Sequence, residues 1–143
     1  MIFCANGCIQ KQMGGCLFGV SSPAPRRYHY VSESRTWLAA QSYCRTLYSD
    51  LATINSMEDM NSLTNEVDPL YIGAVWIGLK RGTQKRWGWS MGGDTLSQYS
   101  NWENLFQADC VAMIKGLSGK WENTICGRKL PFLILYKPIL TYF

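Results

Sequence analysis

The chain has 143 residues, which is the length of one ordinary domain. Hydrophobic residues make up 47% and charged residues 17%, a composition typical of a globular protein. The net charge of +4 suits anionic partners, but there is no arginine-rich tract, RNP-like segment or zinc-finger spacing, so nucleic-acid binding is not expected.

Residues 1–25 are predicted to be a leader, because the segment SSPAPRR at residues 21–27 is typical of a linker. The leader starts apolar and ends in small residues, as a signal peptide does, but polar residues interrupt the apolar run of about 7–15 residues that a signal needs. We interpret it as a degraded or mis-started signal, or as a disordered extension. Residues 137–143 are predicted to be a C-terminal tail, and no stretch has the roughly 20 apolar residues that span a bilayer.

Six cysteines are many for a chain of this size. Such a number favours an oxidising compartment, and hence secretion or a cell-surface ectodomain. Six cysteines allow fifteen pairings, among which the sequence by itself does not choose. The protein is therefore predicted to be secreted or extracellular.

Two helices are predicted in the first half of the domain, after a short strand at residues 28–31. Ser34 is a suitable N-cap for the first helix, whose helically spaced positions are Trp37, Ala40, Gln41, Cys44, Leu47 and Tyr48. DLATIN, residues 50–55, predicts another short strand. Ser56 followed by Asp59 resembles a capping box, and the second helix is predicted to end at Asp68 with a buried stripe of Met57, Met60 and Leu63.

The pattern after residue 70 is that of a sheet, with strands predicted at AVWIGLK, RWGWS, CVAMI, KWENTIC and LPFLILY. Because helices come first and strands later, the fold class is predicted to be α+β with a mainly antiparallel sheet. Residues 91–110 show little regular pattern, and a loop that long inside a compact domain is usually functional. The triplet WEN occurs near its end, at residues 102–104, and again at residues 121–123.

The order of several short motifs is distinctive: WIGL, WGWS, NW, DCV, GKW and PF follow one another between residues 76 and 132. In this order they resemble the C-type lectin-like domain family, especially small fish C-type lectins, over residues 26–136. The resemblance implies a double-loop fold in which two helices flank antiparallel sheets and a long irregular loop projects from them. It also implies that five tryptophans belong to the core, namely Trp37, Trp76, Trp87, Trp102 and Trp121.

The resemblance also implies a disulfide between Cys110 and Cys126. The family's other disulfide would join Cys44 to the last strand, but the partner position holds Ile134. Cys44 is therefore expected to be a buried free thiol that packs as a small apolar group. The alternative is a disulfide from Cys44 to one of the leader cysteines, Cys4, Cys8 or Cys16.

The two WEN triplets lie where sugar-binding members of the resembled family hold calcium, which needs six to eight oxygen ligands. The candidate calcium and sugar ligands are Glu103, Asn104, Asp109, Glu122 and Asn123. The first triplet lacks the family's central cis-proline, and Ala108 replaces a later acid. In the second triplet the carboxylate has moved by one position, which on a strand turns it to the other face. We expect no intact calcium-dependent site and no other cofactor; a weakened or remodelled calcium site is the alternative.

Two further features have a structural and a functional interpretation. The hairpin KRGTQKR carries four cations, Lys80, Arg81, Lys85 and Arg86. They form either a solvated turn that blunts edge pairing or a binding patch for sulfated or sialylated glycans or anionic lipid. Phe106, in the long loop, either packs locally or stacks on a sugar ring.

No motif indicates an enzyme: the single histidine, His29, has no nucleophile motif near it, and its spacing from Cys4, Cys8 and Cys16 suits no ordinary zinc site. We therefore expect a non-catalytic recognition module that binds glycan or glycoprotein. The alternatives are a lectin-like domain that binds protein without calcium, and an ice-binding protein of the antifreeze type.

Overall fold

Two helices and a mixed sheet make up the fold of the computed structural model, which describes residues 10–11, 15–16, 26–47, 49–82, 86–92 and 99–136. The helices are α1, Trp37–Thr46, and α2, Met57–Glu66, and a 3-10 turn spans Lys115–Leu117. The strands are β1 Gln10–Lys11, β2 Gly15–Cys16, β3 Tyr28–Arg35, β4 Asp50–Leu51, β5 Ala74–Arg81, β6 Trp87–Trp89, β7 Trp102–Asn104, β8 Cys110–Ile114, β9 Lys120–Thr124 and β10 Leu130–Leu135.

The main sheet has eight strands in the order β3-β10-β5-β8-β9-β7, with β4 beside β10 and β6 beside β5. Most neighbours are antiparallel, but β10 pairs with β5 and β7 pairs with β9 in parallel. The WIGL strand, β5, lies at the centre, and the α+β class predicted from the sequence is confirmed. Of the predicted leader only β1 and β2 are described, as an antiparallel pair, and residues 137–143 lie outside the described part.

The first helix begins later than the sequence suggested. Thr36, not Ser34, is its N-cap, and the Thr36 hydroxyl accepts a hydrogen bond from the Ala39 amide at 3.2 Å. The prediction was wrong because β3 continues to Arg35, which pairs with Leu130 of β10 and keeps this segment extended. Leu47, predicted on the buried face, is exposed just beyond the end of the helix, and Tyr48 lies outside the described residues.

The second helix begins at Ser56, as predicted. The Ser56 hydroxyl accepts from the Asp59 amide at 3.0 Å, and the Asp59 carboxylate accepts from the Asn55 amide at 2.9 Å. Met60 is buried, but Met57 is 56% exposed. Each three-residue step shifts a side chain by about 60° around the helix, so Met57 lies about 120° from the buried Leu63. Met57 is therefore at the edge of the buried stripe.

The sheet separates two buried clusters. The cluster on the α2 side includes Ile77, Leu79 and Trp121, and the cluster on the α1 side includes Trp76 and Phe132. Successive residues of a strand face opposite sides, so WIGL supplies both clusters from its alternate positions. No helix in the described part of the chain is long and apolar enough to cross a bilayer.

Of the five tryptophans predicted to belong to the core, three are fully buried. Trp37, Trp76 and Trp121 are buried, and the Trp37 indole donates to the Ile77 carbonyl at 2.9 Å, joining α1 to the central strand. Trp87 and Trp102 are half-buried and pack on each other at the edge of the core, with ring centroids 5.1 Å apart.

The disulfide between Cys110 and Cys126 is present and joins the start of β8 to the turn after β9. Cys44 is a free, fully buried thiol, and it lies in the same cluster as Ile134. Burial raises the pKa of the Cys44 thiol from its ordinary value of 9.0 to about 12. Cys4, Cys8 and the side chain of Cys16 lie outside the described residues.

In the folded protein, iodoacetamide at pH 8 should leave Cys44 unmodified, and guanidinium should expose it to rapid labelling. The reason is burial together with a raised pKa, because the thiolate is the reactive form. The neutral thiol's contribution to stability is full below the ordinary pKa of 9.0 and is lost as pH rises towards the folded value of about 12. Peptide mass mapping checks this; labelling in the native state, or a disulfide from Cys44 to Cys4, Cys8 or Cys16, would contradict it.

Candidate functional site

The two WEN triplets form neighbouring strands at one edge of the sheet. β7 contains the first triplet and pairs in parallel with β9, which contains the second. Trp102 lies opposite Trp121, and after a register shift Asn104 lies opposite Glu122. The two triplets, far apart in sequence, therefore lie side by side in the sheet.

Glu122 and Asn123 point to opposite faces of β9. Asn123 is 2% exposed on the same side as Trp121, whereas Glu122 is partly exposed on the other side, with its carboxylate 3.8 Å from the Arg128 guanidinium. Adjacent residues of a strand diverge in this way, so the carboxylate and the amide do not converge on a single ion.

The side chain of Asn123 holds the loop that precedes β8. Its Oδ1 accepts from the Phe106 amide at 2.5 Å, and its Nδ2 donates to the carbonyls of Phe106 and Ala108, the latter at 2.8 Å. An asparagine amide has two donor hydrogens, and both are used here. Asn123 therefore acts as a clamp on the loop backbone.

Arg81 fixes the same loop from the opposite side. Its guanidinium donates to the Ala108 carbonyl and to the Asp109 carboxylate, each at 3.0 Å, and it lies 5.2 Å from the ring centroid of Trp87. The Arg81 backbone amide also donates to the Asp109 carbonyl at 2.7 Å. The Ala108 carbonyl thus accepts from both Arg81 and Asn123.

The remaining candidates of this locus are exposed. Glu103 and Asn104 lie on the solvent-facing edge strand β7, and Phe106 is 56% exposed although its backbone is clamped. Leu105, beside it, is 61% exposed. Within residues 26–47, 49–82, 86–92 and 99–136, no cluster of three or more His, Cys, Asp or Glu side chains could hold a metal ion. The carboxylates of Glu103, Asp109 and Glu122 are therefore not gathered at one point in this part of the chain.

Three of the four cations of the predicted patch lie in the described part of the chain. Lys80 lies on the α1 side of β5, with its ammonium 5.3 Å from the centroid of a Trp37 ring, while Arg81 faces the loop. Arg86 is exposed at the start of β6, and Lys85 lies outside the described residues. Lys80, Arg81 and Arg86 all line one cleft with a volume of about 550 Å³.

Sequence reasoning missed the loop clamp. The side-chain amide of Asn123 contacts only backbone groups of the loop, and the Arg81 guanidinium also contacts a backbone carbonyl there; backbone groups carry no residue-type signal. The one available hint was an amide at residue 123, where the resembled family places an acid, because an amide can donate to carbonyls and a carboxylate cannot.

Two helices with a mixed, mainly antiparallel sheet in this order form a fold of the C-type lectin type. The Lectin C-type domain model matches residues 33–133. A C-type lectin of Cerberus rynchops is 31% identical over 116 residues, covering 73% of each chain. The chain belongs to the C-type lectin domain family.

Two other proteins are similar over most of the chain. Mouse C-type lectin domain family 10 member A is 30% identical over 112 residues, which cover 71% of this chain and 35% of that protein. The chain thus spans about a third of that relative's length. The cow carbohydrate-recognition domain of CD23, whose structure was determined in the presence of a GlcNAc2Man3 oligosaccharide, has a TM-score of 0.67 at 25% identity, covering 83% of this chain and 98% of that one.

Replacing the clamp by an acid should destabilise the protein. In Asn123→Asp, an ionised carboxylate would face the Phe106 and Ala108 carbonyls and could donate to neither, so we expect a loss of about 1–3 kcal/mol in the free energy of unfolding. Glu122→Gln, on the adjacent position and opposite face, is the control and should cost less than about 1 kcal/mol. Urea denaturation measures both; an Asn123→Asp protein as stable as wild type would contradict the clamp.

Proposed function

We propose that this protein is a secreted, non-catalytic recognition module that binds glycan or glycoprotein without calcium. The observation that carries the proposal is the pairing of the Asn123 amide with both backbone polar groups of Phe106. It occurs at the place where sugar-binding members of the family would hold calcium. The Cys110–Cys126 disulfide supports secretion, because disulfides persist in oxidising compartments.

Calcium independence is supported by the contacts of three candidate calcium ligands, whose side chains are engaged by other groups of the protein. The Asn123 amide is occupied by the loop backbone, and Asp109 pairs with Arg81. Glu122 faces the other side of the sheet, near the guanidinium of Arg128. A calcium ion would have to displace two cations and break the clamp before it gained a ligand set.

Phe106 is the group best placed to contact a ligand. Its ring is exposed, yet its backbone is held by hydrogen bonds, so little conformational entropy is lost when a ligand binds. Aromatic rings have large apolar faces, which pack against the C–H face of a sugar or against an apolar protein side chain. Leu105, the neighbouring residue, is also exposed, so two adjacent apolar side chains of this hydrogen-bonded loop are open to a ligand.

Similarity to a carbohydrate-recognition domain supports glycan as the ligand class. The cow CD23 domain is described as a carbohydrate-recognition domain and was studied with an oligosaccharide. Glycan alone and glycan attached to protein present the same sugar faces, so both belong to the proposal.

A glycan array screened with calcium and then with chelator tests the proposal. Wild-type binding should be unchanged by chelator, and Phe106→Ala should weaken it roughly tenfold, because an aromatic contact contributes about 1.5 kcal/mol. Leu117→Ala, which removes another exposed apolar side chain from the 3-10 turn, is the control and should bind normally. Loss of binding in chelator, or full binding by Phe106→Ala, would contradict the proposal; binding to deglycosylated protein alone would favour a protein ligand.

Calorimetry with calcium tests the metal separately. We expect no saturable heat in the micromolar range for wild type. Saturable binding that disappears in Glu122→Ala would show that a remodelled calcium site exists and would overturn calcium independence.

A further inference from the structure

A cleft of about 550 Å³ lies between α1 and the hairpin formed by β5 and β6. It adjoins the clamped loop through Arg81 and Asp109, and its volume is within the range of about 300–1,000 Å³ typical of small-ligand sites. None of the five candidate ligands of the calcium locus lines it except Asp109, at its rim.

The shape of the cleft follows from the register of the hairpin. Lys80 is directly opposite Gly88, so the two share one face of the sheet. Gly88 has no side chain, which leaves open space beside the lysine. Trp37 of α1 forms the base of this space, and the Lys80 ammonium is held 5.3 Å from the centroid of its ring.

The charge of the cleft is unbalanced. Its lining contains Lys80, Arg81 and Arg86 but only one carboxylate, Asp109. That carboxylate is 3.0 Å from the Arg81 guanidinium. Among the ion pairs of the described residues, none includes Lys80 or Arg86, so both are available to an anion from solution.

Neutral polar groups line the wall beside α1. Gln41 Nε2 donates to the Ser90 hydroxyl at 2.9 Å, and that hydroxyl donates in turn to the buried Asp50 carboxylate. This chain of hydrogen bonds fixes the Gln41 amide at the cleft wall. Amide groups bind hydroxyls as both donor and acceptor, which suits a polyhydroxylated ligand.

We propose that this cleft binds an anionic saccharide, whose sulfate ester or carboxylate contacts Lys80 and Arg86 while its hydroxyls contact the Gln41 wall. The inference rests on the proposed function only in taking the ligand to be a saccharide; the site is a second one. The Gln41 wall offers partners for hydroxyl groups in addition to the cations, so a saccharide is favoured over anionic lipid.

The test is surface plasmon resonance with three ligands: a heparin hexasaccharide, 3′-sialyllactose and uncharged lactose. The double variant Lys80→Gln/Arg86→Gln should bind the preferred anionic ligand roughly tenfold more weakly than wild type. Lys80→Arg, which keeps the charge, should retain binding. Binding should also weaken steeply as salt is raised, since exposed charges are screened within about 10 Å at 0.1 M.

The matched control is Lys115→Gln/Lys129→Gln, which removes the same charge outside the cleft. An equal loss of affinity in this control would overturn the inference in favour of diffuse attraction. Wild type binding neither anion, or binding lactose equally well, would also overturn it, as would equal cleft-dependent binding to phosphatidylserine vesicles. Thermal unfolding of each variant verifies that it is folded.

Phe106→Ala in the same assay separates the two proposals. If it retains anion binding while Lys80→Gln/Arg86→Gln loses it, the cleft is a site of its own. If only Phe106→Ala loses anion binding, the anion occupies the loop: the cleft inference is then wrong and the proposed function stands.

Discussion

The hydrogen bonds between the Asn123 side chain and the backbone of Phe106 and Ala108 determine how the recognition edge of this protein is organised. The buried amide satisfies three backbone groups of the loop, which would otherwise lie partly desolvated and unpaired. Because the clamp residue is on β9, the loop inherits the rigidity of the sheet. The exposed Phe106 ring is therefore held in place by the main chain beneath it.

The sheet positions both proposed sites through a single strand. β5 carries Lys80 and Arg81, which both line the cleft, and Arg81 also donates to the Ala108 carbonyl of the loop. Arg81 also reaches Asp109, which lies at the rim of the cleft. A displacement of the end of β5 would consequently alter the loop and the cleft together.

Much of the fold followed from the sequence, because WIGL, GKW and the strand after Cys110 have strong local patterns. Ser34 and Met57 were misplaced for reasons that are not local: β3 is extended by pairing with β10, and Met57 lies at the edge of its helical stripe. The three-residue strand β7 was missed because it is too short to show alternation. The loop clamp joins the Asn123 side chain to main-chain atoms of a residue 17 positions earlier, and no pattern of residue types predicts such a contact.

Ile134 stands at the position where the resembled family has a cysteine, so no disulfide joins α1 to the last strand within the described residues. The disulfide of the described region, Cys110–Cys126, lies at the end of β8 and β9 that carries the clamped loop, whereas α1 is joined to the last strand by packing alone. Native proteins open in cooperative units whose stabilities differ. Reduction of this one bond would thus loosen the recognition end first, while amide protons of α1 and β10 kept the slow exchange of an intact core.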